Sequence, residues 1–282
     1  MTRAGTVCPG ELTLRVVADD TGRTRTAVIR QRYPQRMTAP LHCDPVYPRA
    51  AVVCVQSPSG GTFSDDTLHT GVRAERGSHL RITTQAATQV FAGSGTGARH
   101  RLRFRVDAMA ALEYLPKTLI PHADSRYFQD LEVDVATTGS YLGWDAVSAG
   151  RLGHGERFRY CRYESSLRVS VEGKTVARDR QVIEPPTAPA ARLVGADYLA
   201  TLLIVAPGLD SALLLARLRE AADDCPTTVC IGAGALPGDI GALVRIVTDH
   251  APDLQRTQDR LLAASRYQLL QANHTHDGSD HR

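Results

Sequence analysis

The stretch Arg101-Leu-Arg-Phe-Arg-Val-Asp107 sets Leu102, Phe104 and Val106 in strict alternation with charged side chains. A strand turns successive side chains to opposite faces, so this period of two buries one face and leaves Arg101, Arg103, Arg105 and Asp107 on the other. The pattern recurs downstream. Leu131, Val133 and Val135 alternate with Glu132 and Asp134, and Leu167, Val169 and Val171 alternate with Arg168, Ser170 and Glu172. Gly173 supplies a turn before a further strand at 175–178, and shorter candidates lie at 12–17, 25–31, 50–56 and 71–75. Short strands with Gly-rich punctuation predict an all-β body from residue 11 to about 183.

A faint repeat overlies this alternation. Three times an amphipathic strand meets a small-residue turn and then an apolar strand. The turns are Arg76-Gly-Ser78, Ala108-Met-Ala110 and Thr138-Gly-Ser140, and the leucines that follow, Leu80, Leu112 and Leu142, are 32 and 30 residues apart. A unit of about 30 residues suits stacked hairpins or a β-solenoid, and an ordinary antiparallel sheet with similar turns fits three such copies equally.

Glu184-Pro-Pro-Thr-Ala-Pro189 interrupts the strands and predicts a surface loop. Beyond it, 198–206 reads as one buried strand. Leu213, Leu214, Leu215 and Leu218 predict a helix over 211–222, N-capped by Asp210 or Ser211. Two strands follow at 229–235 and 242–248, joined across Leu236-Pro-Gly238. A last helix over 252–271 starts with Pro252 and Asp253 in its first turn and carries Leu254, Leu261, Leu262, Leu269 and Leu270. The expected fold class is mainly β: a β-helix-like or stacked antiparallel β body over 1–184, with a C-terminal α+β portion of about two helices over 185–272. That portion is expected to pack on the body as one continuous domain, with 273–282 a disordered tail because it lacks an apolar anchor.

The chain has 282 residues, with 33 Lys+Arg against 30 Asp+Glu for a net charge of +3. So small an excess gives no basis for non-specific nucleic-acid binding. Hydrophobic residues make up 43% and mean hydropathy is −0.21, which fits neither a disordered chain nor a membrane protein. Aromatics are only 5%, with a single Trp144, so the core must rest on aliphatic side chains. Six cysteines are too sparse for a disulfide framework, and the first residues carry no apolar leader; a cytoplasmic chain with reduced thiols is expected.

Enzyme signatures are missing: there is no G-x-x-x-x-G-K-[ST], no G-x-S-x-G and no H-E-x-x-H. Gly93-Ser-Gly-Thr-Gly97 reads as a hairpin loop, and Cys225 and Cys230 as buried strand residues rather than zinc ligands. What stands out is carboxylates in well-packed surroundings. Glu113 lies in Leu112-Glu-Tyr-Leu-Pro116, Asp145 follows Gly143-Trp144, and Arg151, His154 and Glu156 fall within six residues framed by glycines. Buried carboxylates need a cation or a metal. Arg151 and Arg157 would satisfy them structurally; a line of oxygen and imidazole ligands for a borderline divalent ion is the functional reading. Thr83-Thr-Gln-Ala-Ala-Thr88 is either a strand with hydroxyls turned to backbone carbonyls or the polar lining of a cavity. His274 and His276 in the tail would chelate metal only weakly.

Five blocks now fall in order: Ser57-Pro-Ser-Gly-Gly61 with Asp65-Asp66, Thr83 to Thr88, Leu112 to Pro116, Gly150-Arg151, and Gly155-Glu-Arg-Phe158. Together they resemble the urease accessory protein UreD (UreH) family, from about Leu12 to about Leu270. The resemblance implies a β-helix-like body with a small helical part and a non-enzymatic role as a urease maturation chaperone. It implies binding to the urease apoprotein and to UreF, and through UreF to the GTPase UreG, which carries nickel, within an accessory complex that can dimerise. Nickel(II) would be held only transiently, with no permanent cofactor. On this reading Asp66, Glu113, Asp145 and Glu156, with His154, lie along a nickel path lined by Thr84 and Gln85. The 252–271 helix either docks UreF or packs on the body. A scaffold that never contacts nickel, and a hydrolase using Glu156 and His154, are the competing readings.

Overall fold

The alternation becomes two facing sheets. The structure, a computed structural model, describes residues 9–185 and 195–277. Seven strands form the first sheet, in the order β15 (Lys174–Ile183), β14 (Arg162–Val171), β12 (Arg126–Val135), β9 (Ala98–Val106), β6 (Thr67–Ala74), β1 (Gly10–Ala18) and β2 (Thr24–Arg32). The main path of the eleven-stranded second sheet runs β17 (Val229–Ala235), β18 (Gly241–Thr248), β16 (Tyr198–Val205), β13 (Ser140–Ser148), β10 (Ala111–Leu115), β7 (His79–Thr84), β4 (Ala51–Gln56) and β3 (Arg36–Met37). Off this path β5 (Gly61–Thr62), β8 (Thr88–Val90) and β11 (Leu119–Pro121) make a short third side.

The chain winds β4–β5–β6, β7–β8–β9, β10–β11–β12 and β13–β14, and each strand lies parallel to its counterpart one coil earlier. Parallel neighbours require a crossover, and here the rest of the coil provides it. This is the solenoid alternative of the sequence reading, capped by antiparallel ladders: β2 on β1, β15 on β14, and β16 on β13. The three small-residue turns are the corners where the chain passes from the first sheet to the second. Leu80 lies opposite Leu112 as the repeat requires, but Leu112 meets Tyr141, so Leu142 is one residue out of phase and faces away from the interior.

Two apolar layers result. Leu102, Phe104, Val106, Val133 and Val135 from the first sheet meet Val53, Leu80, Ile82 and Leu112 from the second. Outside the second sheet, Leu142, Trp144, Leu202, Ile204, Val244 and Ile246 pack under α1 (Ser211–Asp223) and α2 (Ala251–Asp277), against Leu214, Leu218, Leu254, Leu261 and Leu269. The apolar stripe of α2 thus lies against the body. Asp210 caps α1 through hydrogen bonds from Ala212 N and Leu213 N. Leu102 is fully buried between the sheets. Leu102→Ala is expected to cost about 2–5 kcal/mol in denaturant unfolding, the range for a cavity that relaxes only partly.

Some expectations need correcting. Gly93 to Gly97 is not a hairpin loop but the corner between β8 and β9, since neighbouring strands here are parallel. Gly95 is closely packed there: a Cβ would lie 2.9 Å from the Ser64 carbonyl oxygen and would displace the Asp65 carboxylate. Cys225 lies in the bend after α1, and Cys230 is exposed because β17 is an edge strand. Helix α2 continues to Asp277, past the point where the tail was expected to begin, since propagation adds a hydrogen bond per residue once a helix is nucleated. Residues 186–189 of the Pro-rich break, residues 278–282, and the side chains of His274 and His276 lie outside those described.

Candidate functional site

Strand register builds a polar row inside the solenoid. Gln129 pairs with His100 on one side and with Ser165 on the other, and Ser165 pairs with Gln181. One inward row of the first sheet therefore reads His100, Gln129, Ser165, Gln181. In the facing sheet Asp145 pairs with Thr201, and Thr201 with Arg245. Neighbouring strands are about 4.8 Å apart, so both rows run along the solenoid axis. On β13 the alternation sends Leu142, Trp144 and Ala146 toward the helices and Tyr141, Gly143 and Asp145 to the interior.

Asp145 is the centre of this row. Its Oδ2 accepts hydrogen bonds from Tyr163 OH at 3.1 Å, Ser165 Oγ at 3.1 Å and Gln129 Nε2 at 3.3 Å. Burial raises its carboxyl above the usual carboxylate range, against the opposing pull of the Ser165 and Tyr163 hydroxyls. At the His100 end, one inward position along β6 from the row, Thr70 donates to Gln35 Oε1 at 2.7 Å and faces His100 Nε2 at 2.8 Å. The Thr70 proton being used, His100 Nε2 carries the ring hydrogen and Nδ1 keeps a lone pair, 3.4 Å from Tyr127 OH. Burial pushes the His100 imidazole down to about 4, so it is neutral at pH 7.

Gln35, Thr70, His100, Tyr127 and Gln129 line a cavity of about 310 Å³ with Thr84, Gln85 and Asp145 on its wall. Beyond it lies a chamber of about 40 Å³ that shares Tyr114, Gln129 and Asp145 and adds Tyr141, Thr201 and Asp179. Tyr141 Oη is buried there without a hydrogen-bond partner among the described residues. Gly143 makes room for it, since a Cβ would lie 2.5 Å from that hydroxyl.

Thr84, Gln85 and Asp145 are therefore brought to one cavity. Both readings of the threonine run meet in Thr84, which donates to Ala86 O at 3.0 Å while lining the cavity. The other candidates lie elsewhere. Glu113 is on the opposite face of β10, beneath α2. There it accepts from His79 Nε2 at 2.7 Å, Arg81 Nε at 2.9 Å and Arg266 Nε at 3.2 Å. Burial opposes its charge, but His79, Arg81 and Arg266 hold the carboxyl down to about 2. Arg81 and Arg266 also clamp Asp44, whose side chain is fully buried. Glu156 is paired with Arg151 through Nε at 2.8 Å and through Nη2, and accepts from Ala123 N at 3.0 Å; Arg151 holds it down to about 2. Arg157 pairs instead with Asp197. His154 is exposed in a single 3-10 turn, Leu152–His154, near His122. Asp66 Oδ2 accepts from Phe63 N at 2.8 Å and closes the turn before β6.

His100, Gln129, Tyr163 and Ser165 were not singled out from the sequence. The alternation holds a signal for one of them: His100 shares the inward parity of Ala98 and Leu102. Among the described residues no three His, Cys, Asp or Glu side chains are grouped to hold a metal ion, and no helix is long and apolar enough to cross a membrane. Among the described residues the two cavities offer the carboxyl groups of Asp145 and Asp179, the neutral His100 imidazole, hydroxyls and amides, donors of the kind that contact a borderline cation weakly.

Fold and site together define a capped β-solenoid with a polar axial cavity. The family model described as UreD urease accessory protein matches residues 9–277. A urease accessory protein UreD of Mycolicibacterium gilvum is 59% identical over 267 residues, covering 95% of this chain and 97% of that one. Those of Haloarcula marismortui, at 32% identity over 85% of this chain and 80% of theirs, and Sorangium cellulosum, at 34% over 86% and 76%, are also similar. The chain belongs to the UreD family of urease accessory proteins, and its role is in urease maturation.

Proposed function

We propose that the chain assists nickel insertion into urease by binding the apoprotein and UreF and offering nickel(II), handed on from UreG, a route through its interior. The observation that carries this reading is the axial polar row with Asp145 at its centre, enclosed between sheets whose inward faces elsewhere form an aliphatic and aromatic core. A conduit must hold a cation well enough to admit it and weakly enough to release it. One carboxylate with hydroxyl and amide neighbours meets both demands. Asp145 must lose its proton to bind a dication, so binding to the cavity strengthens as pH rises. On the cavity wall Ser57, Gln85 and Lys117 are exposed and Thr84 is half-buried, which supports their serving as polar lining on this reading.

A scaffold without nickel contact is favoured by a separate observation, the Arg pairing of Glu113 and Glu156, which leaves neither acid open to a metal. Co-expression of urease subunits and UreF, UreG and the remaining accessory factors, with and without this chain, tests the shared part. Urease-bound nickel and activity should collapse without it, and unchanged loading would overturn both readings.

A further inference from the structure

At the far end of the polar row the two sheets are bridged by an ion pair. Arg245 Nη2 on β18 meets Asp179 Oδ2 on β15, and Arg245 Nη1 donates to Thr201 Oγ1. Thr201 also accepts from Gln181 Nε2 at 3.2 Å. Asp179 walls the inner chamber opposite Asp145, while its side chain is 28% exposed and that of Arg245 is 31% exposed. Asp179 therefore reaches both the chamber and solvent, with Arg245 paired to it. Arg245 is two strands from Asp145 in one row, about 10 Å at ordinary strand spacing. The two charges are felt at Asp145, Arg245 favouring its ionised form and Asp179 opposing it.

We infer that Asp179 is the carboxylate that receives a cation leaving Asp145, and that Arg245 covers Asp179 and keeps this end of the passage shut until the cation arrives. The inference rests on the passage reading above. The chamber of about 40 Å³ has room for one water-sized species, and the unpartnered Tyr141 hydroxyl faces it. A dication there repels the guanidinium and attracts Asp179, so the arriving cargo weakens the pair that bars its way. A clamp that merely joined the sheets would need neither the polar row behind it nor a carboxylate aimed into the chamber.

The test uses Leu167→Cys, which lines the inner chamber beside Asp179, in the full-length chain. Modification by a small methanethiosulfonate is followed at that position by peptide mass spectrometry, with native Cys54 on β4 as internal control. With the pair intact modification is slow. Arg245→Gln and Asp179→Asn each raise its rate about fivefold, the shift that a part-exposed ion pair can impose on an opening equilibrium. Arg245→Lys, which keeps the charge, stays slow. Nickel(II) added alone protects position 167 in Arg245→Gln, where Asp179 is free, and not in Asp179→Asn. Equal rates in all variants, or nickel protection without Asp179, would overturn the inference. If the labelling behaves as expected while urease loads nickel without this chain, the closure stands and the conduit reading fails.

Discussion

Arg266→Ala is expected to lower the unfolding free energy by about 3–5 kcal/mol, the cost of removing one partner from a buried ion pair. Arg266 reaches from α2 through the second sheet's outer layer to two carboxylates, Asp44 and Glu113, whose side chains are 0% and 3% exposed. Its guanidinium lies 4.6 Å over the Tyr47 ring, and Tyr47 OH donates to Arg266 O at 3.0 Å. Without it, Arg81 and His79 must balance both acids. Arg266→Lys should recover only part of the loss, because a point charge cannot bridge two carboxylates as a planar fork does. Denaturant unfolding of the full chain measures both, and a change within about 0.5 kcal/mol, as for an ordinary surface site, would show that the cluster does not hold α2 down.

Acid reads the same cluster. Glu113 is held to about 2 in the folded chain, from 4.5 for the free side chain. A depressed folded value contributes stability above the unfolded pKa that is lost as pH falls from 4.5 toward 2. At neutral pH that contribution is about 3 kcal/mol. Glu113→Gln should flatten this part of the pH profile.

Asp145→Leu is expected to cut urease nickel loading by about tenfold or more, the scale seen when a metal site loses an orienting or ligating group. Pull-down of the apoprotein and UreF should be unaffected, because Asp145 faces only interior cavities. Among the described residues Asp145 is the one acid in these two rows, and leucine removes it without leaving an unpaired charge. Tyr163 and Ser165 lose their acceptor, so thermal unfolding is the control for folding. Full loading with a folded Asp145→Leu chain leaves the scaffold reading standing.

Sequence alternation fixed which side chains of each strand face inward, because a period of two is a property of the backbone itself. That is why Leu102, Phe104 and Val106 were legible as core, the capped helix at Ser211 was legible from Asp210, and the small-residue corners marked the coils. The carboxylates were visible as anomalies within apolar blocks. Their meaning was not, since a carboxylate's role depends on what the neighbouring coil sets beside it. Glu113 and Asp145 look alike in sequence. One meets Arg81 in register and Arg266 from a helix 153 residues on, and becomes a structural ion. The other meets Thr201 in register with Ser165 and Gln129 across the interior, and stays available to a cavity. Local sequence therefore determined the strands, their faces and the family of the chain; register between coils decided the row of His100, Gln129, Asp145 and Ser165. Pairing across about 30 residues is a choice among non-local partners, and only the assembled coils make it.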